Sequence, residues 1–183
     1  MVLAVSIVAL ANLIPGGTAR PVVEVSIQDR GVFFIEMNPD QAPKLVAHVM
    51  HLIDGRFYDK MLFHRKVDNF VIQTGDPKSK RVSVKYARKH RGKMGEVPGL
   101  GEGGSGKNVP FEINDLTHER YSVGMALESP MDDSGDSQFF VNLKDNFRLN
   151  GMYEVFGKVV KGQAVVDKVQ RGDRILHMRR VRK

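Results

Sequence analysis

The 183-residue chain contains no cysteine. Disulfides, thiolate zinc sites and cysteine nucleophiles are therefore excluded, while the compartment stays open. There is no internal repeat, no low-complexity tract and no clear linker after Ala19. One domain is expected, and the length is ample for a core. Long hydrophobic runs are scarce too. The apolar run Met1–Ile14, interrupted by Ser6 and Asn12, is shorter than the ~18 residues that a membrane-crossing helix needs. The remainder is ordinary for a globular protein, with 42% hydrophobic and 27% charged residues. The net charge of +7 favours acidic partners or surfaces without identifying one.

The apolar run ends at Pro15-Gly16-Gly17, and Gly17-Thr18-Ala19 is a small-x-small pattern. Residues 1–19 thus read as a signal peptide cut after Ala19, although no Lys or Arg precedes the run. A misplaced start, a fragment boundary and an apolar tail are the rival readings. If the leader is a signal peptide the protein is exported, periplasmic or secreted; otherwise it is cytoplasmic. No later segment could span a membrane, so the mature chain is expected to be soluble, and a monomer is expected.

Residues 20–183 read as mostly short strands. Val22–Ile27 and Val32–Met37 form a predicted hairpin through Asp29-Arg30-Gly31. Further strands are predicted at Phe63–Arg65, Phe70–Gln73, Val109–Ile113, Tyr121–Leu127, Gln138–Leu143, Val155–Val160 and Ile175–Val181. Ala42–Asp54 reads as a helix, with Pro43 in its first turn, an apolar face of Leu45, Val46, Val49, Met50 and Ile53, and Gly55 as C-cap. His48 and His51 lack an evident third ligand and read as lying on a partly exposed helix face. Gln163–Gln170 reads as a second helix. The three aspartates of Ser129–Asp136 read as a flexible acidic loop rather than a cation site.

The stretch Phe63–Pro77, FHRKVDNFVIQTGDP, holds no nucleophile, metal cluster or acid/base pair. It does hold a cation, an aromatic and an amide. Strand alternation puts Phe63 with Arg65 and Val71 with Gln73, with His64 and with Phe70 and Ile72 on the opposite faces. A turn between the two segments can still gather Arg65, Phe70 and Gln73. Spacing alone does not make this a site, since strand arginines are usually solvated and strand phenylalanines usually core.

The order Phe63-His64-Arg65, Phe70, Gln73, Gly75-Asp76 resembles the cyclophilin family of peptidyl-prolyl isomerases. So do Ser137-Gln138-Phe139-Phe140-Val141, Leu149-Asn150-Gly151 and Val155-Phe156-Gly157-Lys158-Val159. The resemblance covers roughly Val22 to Val181. It implies a mainly β fold, a closed eight-stranded antiparallel β-barrel capped by two α-helices, with a substrate groove outside a packed interior. It also implies rotamase activity on X-Pro bonds, with folding or chaperone-like assistance to proline-containing peptides and unfolded clients. No cofactor or metal is called for. By resemblance Arg65 and Gln73 are the catalytic pair. Phe70, Phe140 and Leu149 hold the proline ring, Val71 and Tyr153 line the same pocket, and Ala126, Leu127 and Gln138 hold the peptide. His64 packs or hydrogen-bonds beside them.

Departures from the family pattern are specific. Arg148 stands where the best-known members carry a Trp that helps bind cyclosporin, so cyclosporin affinity is not expected to carry over. Tyr153 replaces a His and Leu127 an Asn, and the Ser129–Asp136 loop is about two residues longer than the familiar pattern. A basic insertion occupies about residues 78–100. From Lys78 to Lys93 it has eight Lys or Arg and no acid. It reads as a solvated basic loop with a strand-like run at Val82, Val84 and Tyr86, or as a contact for an anionic partner. One aromatic is too few for base stacking, which argues against nucleic acid. The loop Gly101–Gly106 lacks the Gly-Lys-Ser/Thr ending of a phosphate loop and reads as a groove border. A cyclophilin-like binding module with little catalysis is the alternative to an enzyme.

Overall fold

Alternating burial drives the architecture. The computed structural model describes residues 20–92 and 97–182; the leader and Lys93 lie outside the described residues. Strands β1 (Val22–Ile27) and β2 (Gly31–Met37) pair antiparallel from Val22↔Glu36 to Ile27↔Gly31. The turn between them places Asp29 at φ +61°, a left-handed conformation that Asp tolerates better than most residues. Helix α1 (Pro43–Asp54) follows, then β3 (Arg65–Val67) and β4 (Val71–Thr74). The chain continues through the short helix α2 (Val84–Lys89) to β5 (Ser122–Met125), β6 (Phe139–Asn142), β7 (Val155–Lys161), α3 (Gln163–Lys168) and β8 (Ile175–Arg180). The eight strands form one antiparallel sheet, in the order β3-β4-β6-β5-β7-β2-β1-β8.

The sheet curls around one apolar core. Val23, Val25, Phe33, Ile35, Ile72, Val123, Phe139, Val141, Phe156 and Met178 meet Leu45, Val49 and Ile53 of α1 and Val166 of α3 there. Burying each such side chain stabilises the fold by roughly 1.5–3 kcal/mol. Because side chains alternate, the residues between these point outward. Val71 and Phe140 face the other side and gather with Leu149, Phe70, Ala126 and Tyr153 into a separate small cluster. The sheet thereby supplies both a core and an external pocket wall.

Several expectations need correction. Closure is only partial, because no ladder joins β3 to β8. The chain before β3 runs through turns, with Lys60 at φ +67°, and β3 has only three residues. An irregular seam bridges the gap: Ile175 N–H donates to Met61 O (2.8 Å), Phe63 N–H to Asp173 O (2.9 Å) and Gly172 N–H to Phe63 O (2.8 Å). Residues Val109–Ile113 form no strand. Val109 makes one bridge to Gly135, and Pro110 has no N–H to give. The next two amides donate to carboxylates instead, Phe111 to Asp133 (2.8 Å) and Glu112 to Glu154 (3.0 Å).

The run Val82-Val84-Tyr86 is not strand-like either. Ser83 Oγ accepts the Tyr86 N–H (3.2 Å) and so caps α2. Nor is residues 77–92 a solvated loop. Ala87 and Val82 pack on Leu62 and Leu100, Ser79 is fully buried, and Arg91 pairs with Asp173 (2.9 Å). His48 is buried rather than partly exposed, its Nε2 3.6 Å from Asp136 Oδ1. The aspartates of the 129–136 loop are engaged. Asp132 accepts from Ser129 N–H and from Ser134, and Asp136 from Ser105 Oγ and Gly106 N–H. Among the described residues no helix is long and apolar enough to cross a membrane, and no group of three metal-ligating side chains converges.

Candidate active site

The β3–β4 hairpin aligns the polar groups. Its register pairs Arg65 directly with Gln73, so the two side chains emerge on one face. Arg65 Nη1 donates to Gln73 Oε1 (3.2 Å), and Gln73 Nε2 donates to Gln138 Oε1 (3.0 Å). Gln138 Nε2 then donates to Gly101 O and Gly103 O, both at 2.8 Å. Each amide thus uses its oxygen toward one neighbour and its nitrogen toward the next. The relay fixes the guanidinium to the glycine-rich loop and leaves Arg65 further N–H donors for another acceptor.

A pocket of about 250 Å³ opens beside that relay. Its walls are Arg65, Phe70, Val71, Gln73, Ala126, Leu127, Phe140, Leu149 and Tyr153. The strand order explains the convergence. Strands β4, β6 and β5 are neighbours, Ala126 follows β5 directly, and Ala126 N–H donates to Gln138 O (2.9 Å). Leu149 arrives on a 3-10 turn, Phe147–Leu149, that packs against the outer face of Phe140.

Two face assignments differ from strand alternation. Phe63 is fully buried in the main core while Arg65 lines the pocket, because regular strand begins only at Arg65. Phe70 joins Val71 in the pocket rather than opposing it. It sits in the turn after Asn69 (φ +54°), where alternation does not apply. Of the eleven candidate side chains, Gln138 and His64 lie off the pocket wall. Gln138 belongs to the relay, and His64 is buried behind it.

The electrostatics follow from burial. Arg65 is half-buried, and desolvation, then the nearby Arg171, disfavour its charge; a guanidinium stays protonated nonetheless. Desolvation pushes His64 down to about 4 against the pull of Asp76, and neither ring nitrogen has a hydrogen-bond partner. His64 is therefore neutral at pH 7.

Support behind the pocket was not readable in the sequence. His118 is buried and stacks on Phe140 (5.7 Å between centroids, 16° between planes). Its Nε2 lies 3.0 Å from Tyr153 O and its Nδ1 3.1 Å from Asn142 Nδ2. Asn146 Nδ2 donates to Phe70 O (3.1 Å) and to Asn142 Oδ1 (2.7 Å). His118 and Asn146 reach the pocket from loops that carry no periodicity, and Asn142 ends β6. Gly124 makes room for the stack, since a Cβ there would lie 2.6 Å from the Phe140 ring. Gly75 (φ +102°) lets the end of β4 approach Ser137, where a Cβ would meet Ser137 O at 2.2 Å.

The chemistry available is a directed cation beside an apolar cavity, with no nucleophile. Such a site can stabilise a developing lone pair but offers no covalent step.

Comparison with known proteins gives a consistent picture. The family model described as "Cyclophilin type peptidyl-prolyl cis-trans isomerase/CLD" matches residues 22–182. A "Probable peptidyl-prolyl cis-trans isomerase" from Brucella suis is 38% identical over 139 residues, which span 75% of this chain and 66% of that relative. "Peptidyl-prolyl cis-trans isomerase B" of Bacillus subtilis is 32% identical over 149 residues, 80% of this chain and 89% of that one. In structure, the chain is similar to a cyclophilin-type isomerase of Cryptosporidium parvum. The TM-score is 0.72 at 23% identity, over 90% of this chain and 99% of that one. A second structure of the same protein, in the presence of the dipeptide Ala-Pro, gives 0.71 at 23% identity, over 88% and 99%. At that identity the likeness speaks for the fold.

Proposed function

This chain belongs to the cyclophilin-type peptidyl-prolyl cis-trans isomerase family, and from that premise we propose that it catalyses rotation about X-Pro bonds at the Arg65 pocket. The observation that carries this reading is the Arg65–Gln73–Gln138 relay, which holds a guanidinium at the edge of a cavity walled by Phe70, Phe140 and Leu149.

The obstacle to rotation is amide resonance, a barrier of ~18–20 kcal/mol. Uncatalysed exchange takes ~10–100 s at 25 °C. At mid-rotation the proline nitrogen becomes pyramidal and regains its lone pair. A guanidinium N–H directed at that nitrogen stabilises the twisted state and does nothing comparable for either planar form, so it accelerates rotation both ways. Gln73 keeps the guanidinium plane fixed. The apolar walls seat the proline ring, and the backbone at Ala126, tied to Gln138 O, aligns the peptide.

We place the activity in the folding of proline-containing clients, of exported proteins if residues 1–19 direct export. The exposed cations Arg81, before α2, and Lys85 and Lys89, on it, form no ion pair among the described residues and offer anionic clients a second contact.

The test compares wild type with Arg65→Ala on a proline-containing peptide, with folding checked by circular dichroism. A drop in kcat/KM of about 100-fold with the fold intact is expected. Equal rates would remove Arg65 from the chemistry.

A further inference from the structure

Phe70 carries two cations, not one. The Arg65 guanidinium lies 5.9 Å from its ring centroid and that of Arg148 lies 4.9 Å away. Arg148 is exposed, beside Leu149 on the 3-10 turn that walls the pocket. A lone exposed arginine would sample many rotamers, but stacking on Phe70 holds this one at the pocket mouth. Among the described residues no carboxylate pairs with Arg148, Arg65 or Arg171. Of the acids close to these residues in sequence, Asp68 lies beside Lys66 (3.6 Å), and Asp145 accepts the Arg120 N–H (2.8 Å). The pocket-wall residues Ala126 and Leu127 carry no charge. The mouth is therefore cationic at the 147–149 turn.

We propose that Arg148 is a specificity-determining residue that selects X-Pro substrates carrying an aspartate or glutamate within two residues of the proline, on the flank that passes the 147–149 turn. This rests on the reading of the pocket as an isomerase site. A planar guanidinium already held on an aromatic face can take both carboxylate oxygens without further ordering. A lysine or arginine at that peptide position meets like charge, which makes the selection two-sided.

The experiment uses a neutral proline peptide and matched Glu/Gln pairs at each of the two positions before and after the proline. Isomerisation is followed by exchange NMR at low salt, and binding of the same peptides by NMR titration. Wild type should prefer Glu over Gln by about three- to fivefold on one flank only, with the ratio falling toward one at high salt. The ratio should drop to near one in Arg148→Gln and invert in Arg148→Glu. Equal handling of Glu and Gln at every position overturns the proposal. So does a preference of the same size on both flanks, which reports net charge alone, or one that survives in Arg148→Gln. If wild type fails to turn over even the neutral peptide, the isomerase reading falls. The binding ratios then decide the role of Arg148 by the same criteria.

Discussion

His64 shows what a single residue can hide. Strand alternation placed it opposite Arg65, and it does lie behind the pocket, but no sequence pattern announces a buried imidazole with both nitrogens unpartnered. Its folded-state value of about 4 is below the 6.5 of an unfolded histidine, so the unfolded chain takes up the proton first. Stability contributed by this group is complete above pH 6.5 and is lost as pH falls toward 4, by on the order of 3 kcal/mol. His118, also lowered by burial, adds to the loss in the same direction. Urea denaturation at pH 7 and pH 4.5 should show this, and His64→Gln should shrink the difference between the two pH values. An unchanged difference would mean that His64 is hydrated in solution. Arg65, Gln73 and Phe140 were legible because a motif in one hairpin and one neighbouring strand brings them together. Phe70 was placed on the wrong face because a turn residue obeys no alternation.

At the scale of elements, α1 was readable from its apolar spacing and Pro43, yet what caps it was not. The N-cap residue Ala42 has no side-chain acceptor, and Pro43 needs none. The next two amides, Lys44 (3.1 Å) and Leu45 (2.9 Å), donate to the two carboxylate oxygens of Glu112, 68 and 67 residues away along the chain. The same carboxylate meets the positive end of the helix dipole. Glu112 was read as part of a strand, since Val109–Ile113 has strand composition. Pro110 and the carboxylates of Asp133 and Glu154 divert that backbone instead. Glu112→Ala should lower stability by about 1–2 kcal/mol and speed hydrogen exchange at Lys44 and Leu45. Destabilisation without faster exchange at those two amides would locate the role of Glu112 elsewhere.

At the scale of the molecule, periodicity and turn residues gave nine strands, of which all but Val109–Ile113 overlap the eight observed, and both predicted helices are present, but the way the curled sheet meets itself was not legible. Periodicity reports which face a residue takes and carries no information on which distant segment seals the seam. Asp173 occupies that junction with no exposed surface. Its carboxylate accepts from Arg30 Nε (2.7 Å) in the β1–β2 turn, from Arg91 Nη2 (2.9 Å) beyond α2, and from Gln170 N–H (2.9 Å). Its backbone oxygen accepts from Phe63 N–H, two residues before Arg65. Residue Asp173 thus joins the first hairpin, the 77–92 segment and the chain that enters β3. Removing it leaves two arginines without their shared partner, and breaking a buried pair from one side costs about 3–5 kcal/mol. Both arginines are partly exposed and can turn toward water, so the lower end is expected for Asp173→Ala. The distinguishing observation is spatial. Hydrogen exchange should accelerate together in residues 84–89 of α2 and in the 60–63 segment, while the α1 amides keep their protection. Isomerase activity should fall with the loss of order before Arg65. Loosening confined to α2, with the 60–63 amides and activity unchanged, would show that the insertion is an appendage and that the backbone bonds alone hold the seam.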